Sequence, residues 1–136
     1  MHLKSITALL AFATMLSAAD DPAVNFVKQI KPILADRCVE CHNVETLLGD
    51  LNLQTKALAF RKRKAGPVIV PKEPEKSMLY LVLKLPPKDN KAMPATGHRI
   101  AKDEVSTIRQ WIAEGADWPE GNDGVITPTH KKLKAN

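Results

Sequence analysis

Two thiols and an imidazole stand together at Cys38-Val39-Glu40-Cys41-His42, and the chain has no other cysteine. Cys-x-x-Cys-His is the attachment signature of c-type haem. Thiols at this spacing can add to the two vinyl groups of one porphyrin, which brings the adjacent histidine under the iron as its proximal ligand. The pattern therefore predicts one covalently attached haem c, bonded through Cys38 and Cys41, with His42 on the iron. One imidazole nitrogen coordinates while the other donates to a backbone carbonyl, fixing the ring and tuning its basicity. Val39 and Glu40 have no required chemical role.

Competing uses of the same residues are weaker. A disulfide between Cys38 and Cys41 would close a tiny loop, which restrains the unfolded chain far less than a long one does. A thioredoxin-like dithiol follows a strand in a βαβ context, whereas the approach to Cys38 reads as helical. Zinc needs about four ligands, and Cys38, Cys41, His42 and the distant His98 are an ill-spaced set.

The other side of the iron needs its own donor. Met93 lies in Lys91-Ala92-Met93-Pro94, inside a proline-rich loop from which a thioether can swing over the open haem face. Methionine is a soft ligand that raises the reduction potential when paired with histidine. His98 is the competing distal ligand, and a five-coordinate iron is the third arrangement. Met78, among Leu79, Leu81 and Val82, reads as a packing residue. With His42 and Met93 on the metal, the expectation is a one-electron carrier and not an enzyme. An open iron position would instead allow peroxidase chemistry or gas and redox sensing. A third reading is a haem-stabilised docking module of a larger oxidoreductase or polysaccharide-degrading complex.

These residues must be held by an element on each side. Asp21-Pro22 reads as a helix start. Val27, Ile30 and Leu34 then form an apolar stripe that leads into the cysteines, with a kink expected at Pro32. Residues 49–55 alternate apolar and polar, as a short strand or an extended loop. Thr55 is expected to cap a helix running through Phe60, and Val68-Ile69-Val70 to be a brief extended piece. Ser77 is expected to cap a helix that Pro86-Pro87 stops. The clearest helix spans 102–114, with Asp103 and Glu104 in the first turn, Val105, Ile108, Trp111 and Ile112 on one face, and Gly115 after it. Trp111 reads as a core residue within reach of the porphyrin edge. The run Arg61-Lys62-Arg63-Lys64 reads as a solvated surface, with a docking patch as the alternative.

Composition sets the frame. A length of 136 residues suits one domain. Residues 1–19 read as a secretory signal, with cleavage after Ser17-Ala18-Ala19; the apolar stretch 6–16 has eleven residues, short of the roughly 17 to 25 that span a bilayer. The mature chain is expected in the periplasm or otherwise exported, without a transmembrane anchor. Loss of Lys4 lowers the formal charge from +5 by one, to +4. That mild basicity suits redox partners with acidic docking surfaces but not nucleic acid, for which charge and aromatics are too sparse. Domain boundaries are expected at 1–19 for the signal, 20–119 for the haem domain and 120–136 for a flexible basic tail.

With these pieces assembled, the chain resembles the Planctomycete-type cytochrome c domain, a branch of the class I-like cytochromes c. The matching segments are Val27 through His42 with Lys31-Pro32-Ile33-Leu34, then Gly49-Asp50-Leu51-Asn52-Leu53 and Val68-Ile69-Val70-Pro71 with Pro74 and Ser77. They continue in Met93-Pro94 with Gly97, and in Trp111-Ile112 with Gly115-Ala116 and Trp118. The resemblance runs over roughly residues 24–119. It implies an all-α, cytochrome c-like fold, with N- and C-terminal helices packed beside the haem and short helices and long loops between. It also implies electron transfer, with Cys38 and Cys41 carrying haem and His42 and Met93 as its ligands. Lys72, Ala95 and Ala101 depart from the family's usual glycine, proline and capping Ser or Thr. The partner is expected to be a separate protein.

Overall fold

The computed structural model describes residues 23–96 and 99–129. The expected signal, Asp21-Pro22 and the competing ligand His98 lie outside the described residues. No strand forms among those described, and the architecture is helical: Phe26–Ile30 as a π-helical turn, α1 (Lys31–Arg37), α2 (Lys56–Ala59), α3 (Met78–Lys84) and α4 (Lys102–Glu114). Single 3₁₀ turns at Leu48–Asp50, Pro74–Lys76 and Gly121–Gly124 stand between and after them.

The first helical stretch begins later than the helix start expected at Asp21-Pro22. Residues 23–25 are not helical, and the cap is Asn25, whose side chain accepts from the Lys28 N–H at 2.9 Å. The kink expected at Pro32 takes a definite form. Proline has no N–H to give the carbonyl four residues back. The chain answers with a change of register: the Lys31 N–H reaches the Phe26 carbonyl five residues back, and α1 starts afresh with Pro32 in its first turn.

Helix α4 spans the residues its pattern predicts and buries Ile108, Trp111 and Ile112. Ala101 has no oxygen with which to cap it, so only half of a capping box exists: the Glu104 carboxylate accepts from the Ala101 N–H at 3.0 Å. Gly115 ends the helix with φ 119°, a conformation that a Cβ disfavours. The expected contact between terminal helices is present, since α4 packs against the π-turn, α3 and the Pro74–Lys76 turn. Phe26 sits 5.8 Å from Trp111 and 4.6 Å from Trp118 between ring centroids. Both indoles are buried and satisfied, Trp111 donating to the Asp117 carbonyl and Trp118 to that of Gly124, each at 2.8 Å.

Three local expectations change. Of the two alternatives for 49–55, residues 51–53 take the loop, and Val68-Ile69-Val70 is expected extended but bends at Val68; neither forms a strand, and Leu53, Val68 and Ile69 are buried as loop anchors. Ser77 occupies the cap position of α3 without capping it. Its hydroxyl instead accepts from the Val70 N–H at 2.8 Å and donates to the Glu73 carbonyl at 3.0 Å, tying the preceding loop. The expected tail from residue 120 is packed chain as far as Thr129. Ile126 is fully buried and its N–H reaches the Gln54 carbonyl at 2.8 Å, while Lys31 donates to the Asn122 and Asp123 carbonyls at 3.1 and 3.0 Å. Gly124 is required there, because a Cβ would stand 1.8 Å from the Pro119 carbonyl oxygen. Residues 130–136 lie outside the described residues.

Candidate haem site

Helix α1 delivers Cys38 as its C-cap, and the next residues turn tightly: the N–H groups of Cys41 and His42 both reach the Cys38 carbonyl, at 3.2 and 3.0 Å. The turn leaves Cys38 buried and Cys41 exposed, both as free thiols. Burial, reinforced by Cys41 and opposed by Arg37, pushes the Cys38 thiol up to about 12. Asn43, which the sequence reading passed over, holds this turn together. Its amide donates to the Val39 and Glu40 carbonyls at 2.8 and 2.7 Å and accepts from the Glu45 and Thr46 N–H groups at 2.8 and 3.1 Å. The available signal was the residue type, since asparagine bonds its own neighbouring backbone in turns.

His42 has the orientation its expected role demands. Its Nδ1 lies 2.9 Å from the Leu48 carbonyl oxygen, which can only accept, so Nδ1 carries the proton and Nε2 keeps its lone pair. Desolvation lowers the imidazole pKa below its ordinary value, the Leu48 bond opposes that, and the charge of Arg63 adds to it. The ring therefore stays neutral and able to donate an electron pair.

Cys38, Cys41 and His42 open onto a cavity of about 480 Å³, and Met93 borders the same space. Its wall is chiefly apolar, with Leu53, Val68, Leu79 and Leu83 contributing from three separate parts of the chain. Met93 is half-buried against the core, and its N–H is fixed to the Val82 carbonyl at 3.1 Å, so α3 carries the loop that presents it. The structure thus brings the four expected site residues to one cavity. Two neighbours depart from expectation. Met78 is 40% exposed and lines the cavity instead of packing in the core. Trp111 belongs to the aromatic cluster with Phe26 and Trp118, away from the cavity wall.

The residues present suit a flat, apolar macrocycle with acidic edges. The volume falls in the range of about 300–1,000 Å³ typical of cofactor pockets. An imidazole lone pair and a thioether border the same space. On the wall, the Arg37 Nε is buried without a hydrogen-bond partner, although the Asp36 carboxylate lies 2.8 Å away. The Arg37 guanidinium, partly exposed on the wall and paired with Asp36, is a charged donor group suited to a carboxylate arriving with the cofactor. Among the described residues no three His, Cys, Asp or Glu side chains gather as a metal-ion site; His98, the fourth member of the zinc reading, lies outside them.

Residues 38–97 match the Planctomycete cytochrome C family. The resemblance noted from individual motifs is thereby shown, over a segment that starts at the first cysteine and passes Met93. Planctomycete cytochrome C is a haem-binding, electron-transferring family, so the match indicates electron transfer with redox partner proteins more than catalysis. Helix α4 and the two tryptophans fall beyond the matched segment. No curated protein and no solved structure matches the chain. No helix among the described residues is long and apolar enough to cross a membrane.

Proposed function

We propose that this protein is an exported monohaem c-type cytochrome that carries single electrons between separate redox partners. The observation that carries the reading is the convergence of Cys38, Cys41, His42 and Met93 on one apolar cavity. When bound, the haem supplies one-electron chemistry, its iron cycling between the ferric and ferrous states. The chain's own residues do the rest. Cys38 and Cys41 are the attachment points, and their difference in exposure puts one on the protein side of the cavity and the other at its rim. His42 Nε2 is free to coordinate because Nδ1 holds its proton against Leu48. Met93 offers a thioether from the facing loop, a pairing that favours a raised potential. The apolar wall excludes water, which limits the rearrangement that each change of charge would otherwise cause.

Partner contact belongs at the rim near Cys41, where Val44 is 73% exposed and Leu47 and Leu48 are also uncovered. The basic surface favours acidic partners, and association then weakens with salt. Export rests on the composition of residues 1–19, with cleavage near Ala19. A pyridine haemochrome spectrum with the intact mass of periplasmic material tests haem count, covalent attachment and cleavage together. The expected result is one haem c per chain and a mass lacking residues 1–19. A high-spin five-coordinate spectrum of the native protein would sink the carrier assignment.

A further inference from the structure

The basic run Arg61-Lys62-Arg63-Lys64 does not behave as a uniform surface. In this segment Arg61 and Arg63 are half-buried while Lys62 and Lys64 are exposed, so the two arginines share an occupied side. The occupied side faces the Leu48–Asp50 turn. Arg63 donates from Nε to the Asp50 carbonyl at 2.9 Å and from a terminal nitrogen to the Gly49 carbonyl at 2.6 Å. Arg61 donates to the Asp50 carbonyl at 2.7 Å and pairs with the Asp50 carboxylate.

That turn needs outside support. Leu47 (φ 45°), Gly49 (φ 66°) and Asp50 (φ 53°) all lie in the left-handed region, which side chains other than glycine's disfavour. Such a backbone persists where its surroundings over-determine it. The turn also carries the carbonyl of Leu48, which receives the His42 Nδ1 proton.

We infer that Arg61 and Arg63 are positioning residues for His42, their guanidinium forks clamping the Leu48–Asp50 turn so that the Leu48 carbonyl stays on the imidazole N–H. The inference rests on the reading of His42 as the haem ligand. Its chemistry is that of a planar fork with several donors in fixed directions. Lysine keeps the charge but has a compact ammonium that cannot reproduce that geometry across two carbonyls.

The test uses isotopically labelled ferrous holoprotein and compares solvent exchange of the His42 Nδ1 proton by NMR in wild type, R61K/R63K and K62Q/K64Q. Exchange at least about tenfold faster is expected in R61K/R63K, and none of that change in K62Q/K64Q. The midpoint potential of R61K/R63K should rise at the same time, because an imidazole with a looser hydrogen bond donates less to the iron. A purely structural role would lower the melting temperature and leave both readouts in place. A folded R61K/R63K protein with wild-type exchange and potential overturns the inference. Should the double variant fail to retain haem, R63K alone carries the same comparison, since Arg63 makes the bond to Gly49. Failure of the ligand reading shows separately, as His42 ring protons without the porphyrin ring-current shift in the wild type. The exchange comparison then still decides whether the clamp holds the ring.

Discussion

Two methionines reach the cavity that His42 borders, and their settings separate them. Met93 is half-buried, its backbone N–H is pinned to Val82, and the adjacent Ala92 is buried, so its thioether is held in place at little further entropic cost. Met78 opens α3 with 40% of its surface exposed and competes with water at the cavity mouth. Met93→Ala should therefore abolish the methionine-to-iron charge-transfer band in the near-infrared absorption of the ferric protein, while Met78→Ala should keep it. The reverse pattern would reassign the ligand. Lys72 offers a stability test free of the haem. It holds φ 68° while its N–H reaches the Ile112 carbonyl at 2.7 Å. A left-handed residue with a side chain costs about 1–2 kcal/mol, of which glycine's greater unfolded freedom returns about 0.5–1. Lys72→Gly should stabilise the protein by about 0.5–1 kcal/mol, raising Tm by a few degrees in a thermal melt.

The loop that presents Met93 is an element closed at its base. Arg99, just beyond it, donates to the Leu83 and Leu85 carbonyls at 3.0 and 2.9 Å, joining the end of the loop to the C-terminus of α3 and satisfying carbonyls the helix leaves open. Arg99→Ala should cost about 2 kcal/mol in chemical denaturation, as expected for hydrogen bonds from a charged donor to partly buried carbonyls. The Met93 charge-transfer band should also fade at a lower temperature than the haem's main absorption; simultaneous loss of the two would mean that the loop has no independent opening. Arg99 and Arg63 mark where sequence reading stopped. Helix α4 was legible to its ends because Val105, Ile108, Trp111 and Ile112 keep helical spacing and Gly115 stops them. The haem motif was legible because its spacing is its chemistry. The clamps were not, because an arginine gives no local sign of which distant carbonyl it will meet, and contacts such as Arg63 to Gly49 arise only once the chain has folded. Ser77 misled for a related reason: its position is that of a cap, but tertiary contact with Val70 claimed its hydroxyl. The expected start of the tail at residue 120 came too early, because composition registers Gly121 to Gly124 as loop and cannot register that Ile126 finds a buried seat.

At the scale of the whole molecule, the buried side chains surround a space they do not fill. Phe26, Trp111 and Trp118 make a compact aromatic cluster on the side of the terminal helices, whereas Leu53, Val68, Leu79 and Leu83 end at the cavity wall. At about 24 cal/mol per Å³, the rate for enclosed cavities, an empty space of about 480 Å³ would cost at most about 12 kcal/mol. Water entering at the open mouth lowers that figure. Even half of it rivals the roughly 5–15 kcal/mol that holds a typical domain together. The aromatic cluster alone cannot offset such a deficit, because Leu53, Val68, Leu79 and Leu83 leave the cavity side of the core unfilled. Haem attachment and folding should therefore be coupled, as in other sites whose ligand completes the core. Replacing Cys38 and Cys41 together by alanine should give a chain with weak helical circular dichroism and no cooperative melt near that of the holoprotein. Met93→Ala, which keeps the macrocycle in place, should melt cooperatively within a few degrees of wild type. A haem-free double variant with native-like dichroism and melting would show instead that the helical frame closes by itself, and the cavity would then be a preformed pocket that the cofactor enters after folding.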